Sequence, residues 1–214
     1  MHRLIYVIAL GGALSGCAAT RHRPRPMGIV ETPVNAWRDK VLIGDAGKID
    51  AMQARWTAAR NRAGQRGAHA VAGEGTLFSG PALDHPAPSP GPYHCRLVRI
   101  GSAAGRTGLR SFPSATCYVG GDPGDQLSFA RPGSDAPSGW LYPDDVATRY
   151  VFLGARQRSG RGDSLAYGAD ATRNLAGVVE RIGNFRWRLV IANPAPDALD
   201  VYDLTPIASA PPAK

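Results

Sequence analysis

The chain has 214 residues, with 25 Lys and Arg against 17 Asp and Glu and three cysteines, a length that suits one domain plus linkers. Its formal net charge of +8 is unevenly placed: from Cys17 to Ala70 there are ten basic and four acidic residues, and from residue 71 onward fourteen and thirteen. A main body so close to neutral excludes a nucleic-acid-binding protein.

The opening MHRLIYVIALGGALSGC places a basic start before an apolar core from Leu4 to Leu14. This is the form of a secretory signal, too short to span a bilayer. Leu14-Ser15-Gly16-Cys17 resembles the bacterial lipobox, which implies cleavage after residue 16 and acylation of the Cys17 thiol. Two or three acyl chains anchor stably where one does not. The membrane partner is thus reached through lipid on Cys17, and Ala18 after it fits sorting to the outer membrane, facing the periplasm.

Residues 17–36 carry Pro24, Pro26 and Pro33 with few large apolar groups and read as a tether, whose Arg21-His22-Arg23-Pro24-Arg25-Pro26 run suits anionic headgroups. Residues 37–78 read as a helical segment. Ile49, Met52, Trp56, Ala59 and Ala63 recur at helical spacing and form one apolar stripe. Asp45 reads as its N-cap, and Gly64 and Gly67 as its end. Such a stripe is expected to dock on the protein's own domain.

Residues 79–92, SGPALDHPAPSPGP, are a proline-rich connector, excluded from helix interiors and central strands. Residues 93–207 then read as an antiparallel β domain, and 208–214 as a disordered tail. The strand-like runs are YHCRLVRI, TCYVGG, QLSFAR, SGWLYP, RYVFLGA, AGVVERI, FRWRLVI and LDVYDL, with turn formers between most of them. Gly183-Asn184 reads as a two-residue hairpin turn. The expected fold class is mainly β, a small antiparallel barrel or sandwich of about eight strands preceded by one amphipathic helix.

With Cys17 acylated, Cys95 and Cys117 remain, an even number in an oxidising compartment, and a disulfide between them is expected. YHCRLVRIG, FPSATC, SGWLYPDDVATRYVFLGA and YGADATRNLAGVVERIGNFRWRLVIANPAPDALDVYDLTP together resemble a domain-of-unknown-function family of exported bacterial proteins. The resemblance covers about residues 35–206, with VERIG-x-x-RWRL its most specific part. It implies export and a fold, and no catalytic residue or cofactor.

Motifs that carry chemistry are few in this chain. There is no GxSxG, P-loop or paired metal-ligand motif, so no catalytic, cofactor-binding or metal residues are assigned and no cofactor is expected. Gly101–Gly108 reads as a hairpin loop, Arg161-Gly162-Asp163 as a turn, and the acidic turn 120–125 lacks the donor offsets of an EF-hand. Alternation in Arg186-Trp187-Arg188 suggests a core Trp with exposed Arg neighbours. A candidate binding site is assembled from two groups: Trp140, Tyr142, Asp144, Asp145 and Arg149, then Tyr167, Asp170, Arg173 and Glu180. The favoured function is a noncatalytic envelope binding or interaction module with an envelope protein as partner. The alternative is a lipocalin-like carrier of a small apolar ligand with Trp140, Tyr142, Tyr150 and Phe152 as wall residues, and an envelope hydrolase comes third. A barrel interior with a cavity would favour the carrier and a filled one the interaction module.

Overall fold

A computed structural model describes residues 35–121, 126–159 and 164–208, without the side chains of 106 and 107. The lipobox with Cys17, residues 122–125 of the acidic turn, the 161–163 tripeptide and the end of the tail from 209 lie outside the described residues.

The predicted apolar stripe is realised on two helices, α1 (Ile43–Asp50) and α2 (Met52–Gly73), which meet at Ala51. Ile49, Met52, Trp56, Ala59 and Ala63 are all buried. Asp45 is not the N-cap. Leu42 occupies that place with extended backbone, while Asp45 is buried in the first turn, accepting from Lys48 Nζ at 2.6 Å and from the Tyr167 hydroxyl at 2.7 Å. The helix runs through Gly64 and breaks at Gly67, where the backbone is non-helical, as its glycines suggested; a further helical stretch follows to Gly73. Gly75, at φ +53°, then turns the chain into α3 (Thr76–Ser79). That short helix puts Leu77 and Phe78 into the core, with the Phe78 ring 5.5 Å from Trp56. A 3-10 turn at Ala36–Asp39 buries Trp37 ahead of them.

The β domain is a closed eight-stranded antiparallel barrel with one extra strand. Its strands are β1 (Gly91–Gly101), β2 (Leu109–Ser111), β3 (Ala115–Gly120), β4 (Leu127–Ala130), β5 (Pro137–Pro143), β6 (Arg149–Arg156), β7 (Asn174–Gly183), β8 (Arg186–Ala192) and β9 (Ala198–Pro206). Neighbours follow chain order from β3 to β9, and β9 closes onto β1 along nine register pairs from Tyr93↔Pro206 to Gly101↔Ala198. The extra strand β2 shares the free edge of β1 with β3, pairing with its end while β3 pairs with its start. Gly139 and Gly154 face each other across β5 and β6, and a Cβ on either would come within 2.3 Å of a backbone carbonyl. This is the close strand approach that glycine permits in a tightly curled barrel.

Alternation divides the strand side chains into two cores. Tyr93, Cys95, Phe129, Phe152, Trp187, Leu189, Tyr202 and Leu204 fill the barrel interior. Val98, Ile100, Val151, Leu153, Val178, Val190 and Val201 point outward and are covered by Trp37, Ile49, Met52, Trp56, Leu77 and Phe78. The Cys95–Cys117 disulfide forms inside the barrel between β1 and β3, with Cα atoms 6.0 Å apart. The β7–β8 turn is Asn184-Phe185, not Gly183-Asn184, because a bulge between Arg181 and Gly183 advances the register so that Gly183 pairs with Arg186. Among the described residues no helix is long and apolar enough to cross a membrane.

Candidate functional site

The residues singled out in sequence are distributed over four places. Asp144, Arg149 and Glu180 come together on the outer barrel surface: the buried Asp144 accepts from Trp37 Nε1 at 3.1 Å and Arg149 Nε at 2.5 Å, and Arg149 is the register partner of Glu180. Asp145 beside them is exposed, its N–H donating to Asn35. Tyr167 joins α1 instead, its hydroxyl donating to Asp45 and accepting from the Leu42 N–H. Burial, with the Asp45 carboxylate adding to it, pushes the Tyr167 phenol well above its usual range. Asp170 and Arg173 sit at the far end of the barrel. Asp170 is held below the usual carboxylate range by the Thr172 hydroxyl and then by Arg158 at 3.1 Å, and Arg173 pairs with Asp135 at 2.7 Å. The four proposed wall aromatics split by alternation: Tyr150 and Phe152 belong to the interior, whereas Trp140, 48% exposed, and Tyr142 lie on the outside.

Around Asp144 and Glu180 the arrangement is a cross-strand ladder of alternating charge. Arg149, Glu180, Arg188, Asp203 and Arg96 are successive partners across β6, β7, β8, β9 and β1. Arg188 bonds Glu180 at 2.6 Å, Arg186 grips Asp203 with two contacts of 2.8 Å, and Arg96 bridges Asp203 and Glu74. Sequence alternation predicts an exposed Arg188. It is in fact buried, because the helices cover this face: its guanidinium lies 4.7 Å from the Trp56 ring and donates to the Leu77 and Gly80 carbonyls. Every acid here has its base, so the ladder fastens helices to barrel. The adjoining cleft, lined by Gln53, Trp56, Arg149, Glu180 and Arg188, offers about 20 Å³, room for about one water.

The opposite situation holds at the barrel end formed by the C-terminal ends of β1, β4, β6 and β8. There the inward-facing row continues past the apolar core as Arg99, Arg156, Asn193 and Asp200. Asp200, its side chain 3% exposed, receives Arg99 Nε at 2.6 Å and Nη2 at 3.0 Å, Asn193 Nδ2 at 3.1 Å, and has Arg156 at 3.9 Å. Arg110 is the register partner of Arg99 on β2, and both guanidiniums approach the Phe112 ring, at 4.8 and 5.7 Å. Arg131 follows β4 in the inward phase of Leu127 and Phe129; its N–H bonds Pro137, whose register partner is Arg156. Tyr202 lies beneath this rim. Burial and then Asp200 push its phenol up to about 12, against the opposing fields of Arg131, Arg156 and Arg99, so all four charges surround one hydroxyl.

This mouth was not found in sequence. Its signal was present in the phase of the strands, since LVRI, SFAR and FLGAR each place an Arg two or four residues beyond an inward apolar side chain. Such a rim can hold an anion, and among the described residues no group of three or more His, Cys, Asp or Glu could hold a metal ion. A family model described as a domain of unknown function, DUF4893, matches residues 37–204. No curated protein and no solved structure matches the chain.

Proposed function

The chain belongs to the DUF4893 family of unknown function, and we propose that it is a noncatalytic binding module of the bacterial cell envelope, anchored to the outer membrane through lipid on Cys17 and facing the periplasm. The observation that carries the binding-module reading is the filled barrel. Phe129 packs 6.1 Å from Phe152 and 6.3 Å from Tyr202, and Tyr93 packs 5.9 Å from Trp187, so side chains of the protein itself take the interior that a lipocalin-like carrier reserves for ligand. Recognition then falls to the barrel's outer features, among them the arginine-rich mouth, where Arg110 and Arg131 have no carboxylate partner among the described residues. The Cys95–Cys117 disulfide suits an oxidising compartment, and Leu14-Ser15-Gly16-Cys17 supplies the acylation site.

The full chain expressed in a Gram-negative host and grown with radiolabelled palmitate should carry label into the outer-membrane fraction, and Cys17→Ser should carry none. An unlabelled wild-type protein overturns the anchor. Turnover of an ester, peptide or glycan substrate by the purified full chain overturns the noncatalytic assignment.

A further inference from the structure

We propose that the arginine-lined mouth of the barrel is a binding site for a phosphate group. This rests on the reading of the protein as a binding module, and not on its lipid anchor. Four arginines, Arg99, Arg110, Arg131 and Arg156, gather at one end of the barrel, where Asp200 pairs with Arg99 and lies 3.9 Å from Arg156. Among the described residues these four arginines and Asp200 leave three positive charges in excess. Among the described residues neither Arg110 nor Arg131 has a carboxylate partner, in contrast to Arg173 just beside them, which is neutralised by Asp135.

The rim is also built to hold its charges in place. Asp200 clamps Arg99 with two bonds and is itself fixed by Asn193, and Phe112 backs Arg99 and Arg110 with its ring. Arg99 and Arg156 remain partly open, with side chains 29% and 31% exposed. Beneath them the Tyr202 ring, 5% exposed, closes the barrel interior under the rim.

Charge and shape choose the ligand. Guanidinium forks match tetrahedral oxyanions with paired N–H···O bonds. A phosphate monoester carries about −1.5 to −2 charge at neutral pH, close to the excess on the rim, whereas a single carboxylate leaves most of that excess uncompensated. The phosphate can be free in solution or can belong to a lipid headgroup.

Isothermal titration of the full chain in detergent with inorganic phosphate, and co-sedimentation with vesicles of phosphatidic acid against vesicles of phosphatidylcholine alone, test the proposal. Saturable phosphate binding that weakens about tenfold in Arg131→Ala and in Arg156→Ala, is unchanged in Arg38→Ala, and fades with added salt, supports it. Phosphatidic acid retention lost in the same two variants assigns the group to a lipid headgroup; binding of free phosphate without vesicle retention assigns it to a soluble ligand. Arg131 supports no ion pair among the described residues, so its variant should fold. A folded wild-type chain that binds neither probe, or variants that bind as wild type does, overturns the site while leaving the palmitate and turnover tests of the module itself unaffected.

Discussion

Arg99 and Asp200 face each other across β1 and β9 inside the barrel, joined by two bonds of 2.6 and 3.0 Å. The Asp200 side chain is almost wholly out of water, and breaking such a pair from one side costs more than replacing both partners. Asp200→Asn should lower unfolding free energy by about 2–3 kcal/mol. The double variant Arg99→Leu/Asp200→Leu should lose less than the sum of the two single leucine variants, as read from urea midpoints in a double-mutant cycle. Additive losses would refute the coupling.

Arg188 ties three parts of the molecule together: Glu180 on β7, the carbonyls around α3, and the face of Trp56 on α2. Arg188→Ala leaves Glu180 and two carbonyls short of a donor under the helices. The expected loss is about 3–4 kcal/mol, and Trp56 emission should shift to the red as the helical layer loosens. An unchanged spectrum and midpoint would show that the helices dock without it.

The Cys95–Cys117 bridge spans 22 residues of sequence and lies within the barrel core. Loop-closure entropy gives it about 3 kcal/mol of stabilisation. Reductant should therefore lower the urea midpoint of the wild-type chain, and Cys95→Ala/Cys117→Ala should start from that lower value and not respond to reductant.

How far this arrangement was legible in sequence differs between fold and site. Alternation identified eight strands because each buries one face in the barrel and, in most cases, the other beneath helices; Trp187, Leu189 and Ile191 sit on the inward face that their spacing indicated. Strand β2 escaped because Leu109–Ser111 is three residues long, too short for a period to show. The site was less legible because proximity in sequence stood in for proximity in space. Asp170 and Glu180 lie on one stretch of chain, yet β7 runs the length of the barrel between them, placing Glu180 opposite Arg149 and leaving Asp170 with Arg158. Arg99, Arg131 and Arg156 belong to three strands whose relative register no local pattern reports. Their common inward phase was readable, but not that their ends meet at one rim.

The buried phenols supply a pH dependence of known sign. Burial pushes Tyr93 up to about 12, and burial with Asp200 pushes Tyr202 up to about 12. An ordinary tyrosine ionises near about 10, so between those values the unfolded chain has released protons that the folded chain still holds. The unfolded state then binds fewer protons, and stability falls as pH rises. The contribution of these groups is fully present below about 10 and is lost as pH climbs through the folded values. Burial raises Tyr142, Tyr150 and Tyr167 in the same direction. Phenolate absorbance in an alkaline titration should accordingly show a late cooperative step that coincides with loss of far-ultraviolet dichroism. Tyr202→Phe should move that step to higher pH, since it removes one of the groups whose ionisation drives unfolding. If all tyrosines instead ionise in the ordinary range while the dichroism is intact, the interior is open to water and the filled barrel, with the binding-module reading that rests on it, fails.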